Sequence, residues 1–349
     1  MNENRRIQDL DIMRVAATAA VILIHSTAQQ MTQSETGYYG NQLARFAVPM
    51  FLIMSGFLLS GRDLYSRLLP RTQFYRKRFD RILLPYVIWT IIYSLVLHFY
   101  FNGMQNTHLI LPDMFRHLLL GNGFTHLYFV VIIIQLYLLY PFIRGPFTAH
   151  PGTFLLLSLA VSLPCQYLLY QHAIQGLPFP PYVGEISLIA FPVWIFYFCL
   201  GMYLAQKDFK LEMSGRIPWP AWLLIWIISL SLLLWDSRQT ASYALSIKPT
   251  VILYAVCSFL LLRSLLNYFN AQSGRIITWL SDQSFLIYLL HPLMANFLVF
   301  LSLHLGRPDL WSSNAGTLAK FLLTLIFTLI AAAVIVRTPL AKPLGGQRQ

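Results

Sequence analysis

The chain has 349 residues, of which 57% are hydrophobic and only 11% charged, with a mean hydropathy of +0.58. A water-soluble domain carries roughly 25% charged residues, so an ordinary soluble fold is excluded. The net charge of +12 makes nucleic acid a partner to consider, but the distribution of that charge along the chain argues against it.

Apolar runs fall near residues 12–31, 43–60, 83–101, 126–143, 153–171, 187–205, 219–236, 249–267, 284–303 and 317–336. A helix crosses a bilayer in about 20 residues, and in lipid every backbone polar group must be satisfied within the segment. The prediction is an all-α polytopic membrane protein, with about ten transmembrane helices around a central cavity. The alternation of an outer-membrane barrel is missing. Residues 1–349 read as one integral domain, and the first apolar run, lacking a cleavage pattern, is expected to stay as an anchor.

Between the third and fourth runs, "LPDMFRHLLLGNG" predicts a short interfacial helix, with Pro112 and Asp113 at its start and glycines after its end. "QHAIQGLPFPPYVGEIS" is expected to be irregular, and "RTPLAKPLGGQRQ", from about residue 337, reads as a short basic tail. Cys165, Cys199 and Cys257 lie in apolar runs without CxxC spacing. They are expected to be packing residues rather than disulfide or metal ligands. No metal site is predicted.

On this topology 19 of the 25 basic residues fall on the N-terminal side and the remaining 6 on the other. By the positive-inside rule the N-terminal side is the cytoplasm, and ten crossings return the C-terminus to it. The expected location is the cytoplasmic (inner) membrane. The charge is topological, and the bilayer, not nucleic acid, is the partner it implies.

The first run, "LDIMRVAATAAVILIHS", keeps Arg14 and His25. Eleven residues make nearly three turns, which sets the two side chains on one face about 16 Å apart. An ionisable group deep in a membrane helix favours a wet cavity. A guanidinium at the mouth suits a phosphate, and a histidine three turns inward suits proton abstraction. Asp11 lies one turn before Arg14 as a candidate partner. The spacing is comparable to the reach of coenzyme A from pyrophosphate to thioester. One channel holding both ends of such a molecule is the simplest expectation.

Five stretches in order carry a resemblance: Arg14 and His25 in the first helix, "VPMFLIMSGFLL", "FYRKRFDRILLPY", "THLYFVVIIIQLYLLYP" and "LSDQSFLIYLLHP". Together they resemble the bacterial integral-membrane acyltransferase 3 family, with Tyr128 where tryptophan is more usual. The resemblance implies transfer of an acetyl or other short acyl group from cytoplasmic acetyl-CoA or another acyl-CoA. The acceptor would be a hydroxyl or amino group of a surface polysaccharide, glycolipid or related envelope molecule. It implies His25 as the catalytic residue, here read as a base, and Arg14 as a donor-side residue.

Arg76, Arg78 and Arg81 are further candidates for the coenzyme A phosphates, although topology alone explains a basic loop. His126, Glu185, Tyr288 and His291 are supporting candidates. His126 equally suits a helix start at headgroup level, Glu185 an exposed loop, and His291 a packing role beside Pro292, where a kink could free backbone groups. Ser55 in "MSGF" lacks the context of a hydrolase nucleophile, and that motif is expected to mark close helix packing. A secondary transporter or exporter of a sugar or lipid-linked glycan is the rival reading, although paired broken helices are not evident. The sequence leaves the oligomeric state open.

Overall fold

A computed structural model describes residues 8–65, 70–101, 110–208 and 217–348. Fourteen α-helices follow in chain order, with no strand among the described residues. They are α1 (Gln8–Thr27), α2 (Glu35–Leu43), α3 (Ala47–Tyr65), α4 (Arg71–Arg78), α5 (Leu84–Phe101), α6 (Ile110–Leu120) and α7 (Tyr128–Ala149). The rest are α8 (Pro151–Gln175), α9 (Pro181–Ile189), α10 (Phe191–Asp208), α11 (Trp219–Thr240), α12 (Pro249–Tyr268), α13 (Arg275–His304) and α14 (Asn314–Ile335). Ten spans are long and apolar enough to cross a membrane, so the chain is a multi-pass membrane protein. The expected interfacial helix is α6.

Burial sorts the spans. In the span made of α2 and α3, 72% of the apolar window is buried, against 22% for each of α8, α11 and α14. The latter three therefore lie on the outside of the bundle, while α1, α3, α10, α12 and α13 form the interior. The neighbours that position the site are α1 against α13, α3 and α14, and α3 against α10.

Lipid tails are as apolar as leucine, so contact between membrane helices depends on close packing rather than on escape from water. The "MSGF" stretch shows how. A Cβ added at Gly56 would lie 2.0 Å from the Phe198 carbonyl oxygen, and one at Gly201 would lie 1.9 Å from that of Ile53. The two glycines let α3 and α10 touch backbone to backbone. An Arg144–Asp63 pair at 3.4 Å and a Tyr140 hydroxyl donating to Asp63 at 2.7 Å tie α3 to α7.

Two segments depart from the sequence reading. The loop expected to be irregular is so only over residues 176–180, since α8 runs through Gln175 and α9 begins at Pro181. Proline supplies a preset φ at the first position of a helix, so a Pro-rich stretch here starts a helix rather than preventing one. The basic tail is folded onto the bundle. Trp89 Nε1 donates to the Leu344 carbonyl at 3.0 Å, and Gln283 exchanges two bonds with the backbone of Gln347, each 2.9 Å. The three cysteines are free, as expected.

Gly201→Ala should lower thermal stability in detergent by about 1–3 kcal/mol, the usual cost of overpacking. Gly145→Ala, in α7 with open space around it, should not. Equal melting temperatures for the two variants would remove the close approach as a determinant of the fold.

Candidate active site

The site is built on the α1–α13 seam. Asp11 and Arg14 lie one turn apart on α1, with Nη1 of Arg14 3.7 Å from Oδ1 of Asp11. Ser281 of α13 joins them: its hydroxyl accepts from Arg14 Nη1 at 2.8 Å and donates to Asp11 Oδ1 at 2.7 Å. Asp11 and Ser281 are both buried.

Arg14 opens onto a cavity of about 1980 Å³ at the N-terminal face, larger than the usual 300–1,000 Å³ of a small-ligand pocket. Seven cationic side chains line it (Arg14, Arg62, Arg78, Arg81, Arg263, Lys342 and Arg348), together with four carboxylates (Asp9, Asp11, Asp80 and Asp282). Arg78 is held between aromatic rings, 4.9 Å from that of Phe74 and 5.2 Å from that of Tyr137. Arg263, on α12, lies 5.0 Å over the Phe57 ring. Arg76 is exposed and is not among the lining residues. The excess of guanidinium groups suits a polyphosphate with an organic body.

His25 is in a different place. It forms a group with His126 and His291, with ring centroids 6.2 Å (25–126), 5.1 Å (25–291) and 5.5 Å (126–291) apart. His126 and His291 are fully buried and His25 half-buried. His126 is therefore inside the bundle rather than on its surface. Residues 122–127 turn it inward, where it meets the Tyr93 ring at 5.1 Å and the Phe124 ring at 5.9 Å.

Pro292 fixes the orientation of His291. Proline has no N–H to give the carbonyl four residues back, which leaves the Tyr288 carbonyl open, and His291 Nδ1 contacts it at 2.7 Å. A carbonyl only accepts, so Nδ1 carries a proton. Nε2 of His291 and both ring nitrogens of His126 are buried without a hydrogen-bond partner among the described residues. Buried polar atoms are rarely left so, and these three converge beside His25.

The expectation of one open channel from Arg14 to His25 is not met, because His25 is not among the cavity residues. The cavity ends on Phe51, Phe129 and Tyr288, whose ring centroids are 5.5–6.3 Å apart. Tyr288 also packs on the far side of this layer, 5.3 Å from the His126 ring and 5.9 Å from that of His291, and its hydroxyl donates to the His126 carbonyl. An aromatic layer one side chain thick thus separates the basic cavity from the three imidazoles. Glu185 belongs to α9, but its side chain lies outside the described residues.

Sequence reasoning missed Ser281, Arg62, Arg263, Lys342 and Arg348. Arg263 carried a usable signal, a lone cation inside the apolar run "FLLLRSLL". Lys342 and Arg348 did not, because nothing local says that the tail folds back.

Ser281→Ala should destabilise the protein by about 1.5–3 kcal/mol, the range for hydrogen bonds to charged groups, and Ser281→Thr should restore most of it. Thermal unfolding of the two variants checks this; no loss in the alanine variant would show that the bridge contributes nothing.

The family model for the acyltransferase 3 domain, described as "Acyltransferase domain", matches residues 7–337. Two Staphylococcus aureus proteins, from strains MSSA476 and MW2, are each 24% identical to this chain over 306 residues, covering 83% of this chain and 83% of their own length. Both are named "Probable poly-beta-1,6-N-acetyl-D-glucosamine export protein". No solved structure matches. With the family model covering nearly the whole chain, this protein belongs to the acyltransferase 3 family.

Proposed function

We propose that the protein moves an acetyl or other short acyl group from an acyl-CoA in the cytoplasm to a hydroxyl or amino group of an envelope glycan or glycolipid. On this reading the protein sits in the inner membrane with both termini cytoplasmic. The observation that carries the reading is the placement of a cation-rich cavity and a histidine group on opposite sides of one aromatic layer. The nucleotide phosphates would lie among Arg14, Arg78, Arg81 and Arg263, and the thioester would pass Phe51, Phe129 and Tyr288 to reach His25. The family membership supports acyl transfer, and the name of the Staphylococcus relatives supports a glycan as the kind of acceptor.

In the proposed step His25 takes the proton of the acceptor hydroxyl as the acceptor oxygen bonds to the acyl carbon. The carbon–sulfur bond breaks, and the proton leaves with the coenzyme A sulfur. The polar lining formed by His126 and His291 would hold the acceptor beside His25. Positioned proton transfer of this kind contributes about 10²–10⁴ in rate.

The name of the relatives also favours a second reading, export of a sugar polymer without acylation. Purified protein supplied with labelled acetyl-CoA and envelope glycan should yield labelled glycan. His25→Ala should abolish that yield while keeping the rise in melting temperature that coenzyme A gives by mass action. Arg78→Ala should weaken coenzyme A binding about tenfold, the scale of one charge-assisted contact. Polymer flux into proteoliposomes without any acyl donor, together with no label transfer, would decide for export.

A further inference from the structure

The positive-inside pattern accounts for 19 of the 25 basic residues by their side of the membrane and leaves 6 on the far side: Arg45, Arg116, Arg238, Lys248, Arg307 and Lys320. Topology gives no reason for these, and two of them are buried together. Arg45, at the start of the second span, is 3% exposed, and Lys248, just before α12, is 0% exposed.

Both belong to one structure. Arg45 donates to the carbonyls of Ala244 at 2.6 Å and Tyr243 at 2.8 Å, to the Ser246 hydroxyl at 3.2 Å, and to Asn41 Oδ1. It therefore holds the 241–248 loop that ends at Lys248. Every one of these acceptors is neutral and Arg45 Nε is buried without a partner, so the guanidinium has no counter-ion among the described residues. Lys248 has less, since Nζ makes no hydrogen bond or ion pair among the described residues. Asp236 is the carboxylate that acts on it, but its oxygens are taken by the hydroxyls of Tyr170 and Thr250. Burial lowers the Lys248 ammonium to about 8, with Asp236 opposing the shift and Arg45 adding to it. A buried ammonium with three unused donors beside an uncompensated guanidinium is costly. Asn41, which accepts from Arg45, donates to the carbonyl of Ile24 at 2.9 Å, so a single side chain links the guanidinium to the residue before His25 in α1.

We infer that Lys248 and Arg45 form an anion site for a carboxylate or phosphate carried by the acyl acceptor, which docks there to set its hydroxyl or amine at His25. Gln42, whose Nε2 donates to the Tyr243 carbonyl at 2.9 Å and whose Oε1 is buried without a partner among the described residues, can take a neighbouring hydroxyl of the same ligand. The assignment of the anion to an acceptor rests on the acyl-transfer reading; the anion site itself does not.

The test is thermal unfolding of the full chain in detergent with sodium glucuronate or inorganic phosphate, against glucose and sodium chloride at equal ionic strength. Glucuronate or phosphate should raise the melting temperature of the wild-type protein, and glucose and chloride should not. Lys248→Gln should lose this rise and Lys248→Arg should keep it. Lys320→Gln should also keep it, because Lys320 already has Gln29 and Gln30 as partners. Coenzyme A should stabilise all of these variants. A wild-type response to glucuronate and phosphate no larger than to chloride would overturn the proposal even if Lys248→Gln fails to fold. An unchanged response in a folded Lys248→Gln variant would overturn it too. Succinyl-CoA tested against acetyl-CoA separates the sources: a Lys248-dependent preference for succinyl-CoA, with no response to glucuronate or phosphate, would move the anion to the donor and overturn the acceptor assignment. Anion stabilisation without any effect of coenzyme A sinks the acyl-transfer reading and leaves the anion site standing.

Discussion

The α1–α13 seam is the constraint on which the site depends. Both helices run in the same direction across the bundle, and they meet through polar groups at two levels. At the lower level Asp11 and Arg14 meet Ser281, and at the upper level His25 meets His291 at 5.1 Å. Eleven residues separate Arg14 from His25 and ten separate Ser281 from His291, rises of about 16 and 15 Å. The two helices therefore stay in register over three turns. A slip of one residue on either would bring one polar level against apolar side chains, a costly mismatch in a membrane interior. The register is thus set by the same groups to which the acyl-transfer reading gives the chemistry.

The seam also explains why the site is divided. Phe51, Phe129 and Tyr288 fill the interval between the two polar levels. On the acyl-transfer reading this division has a use. An open channel would let ions leak across the membrane, whereas a layer of rings that yields only to the pantetheine arm keeps the faces separate. Tyr288 suits that position because it belongs to both sides, lining the cavity and bonding to the backbone of His126.

Much of this was legible in the sequence. The ten spans follow from hydropathy, because apolar length is a local property. Arg14 and His25 stand out because an ionisable group in an apolar run always needs an account, and Asp11 follows from helix periodicity. Pro292 beside His291 was a readable sign of a freed carbonyl, and the structure gives that carbonyl to the neighbouring imidazole. What stayed hidden depends on tertiary placement. Periodicity put Arg14 and His25 on one face but could not show that rings from α3, α7 and α13 would stand between them. His126 reads as an interfacial residue because it lies at the end of its run; only the turn at residues 122–127 brings it inside. Lys248 looks like one more loop lysine, and its burial is set by the way Arg45 draws the 241–248 loop inward.

The central claim is that one coenzyme A thioester spans from the cation-rich cavity to His25 through the aromatic layer. A cryo-EM structure of the protein bound to a non-hydrolysable acetyl-CoA analogue tests this most directly. The account predicts nucleotide density among Arg14, Arg78 and Arg263, displaced rings at Phe51, Phe129 or Tyr288, and the acyl carbon within reach of His25. An analogue bound with its acyl end short of an unmoved aromatic layer, or outside the cavity altogether, would contradict it.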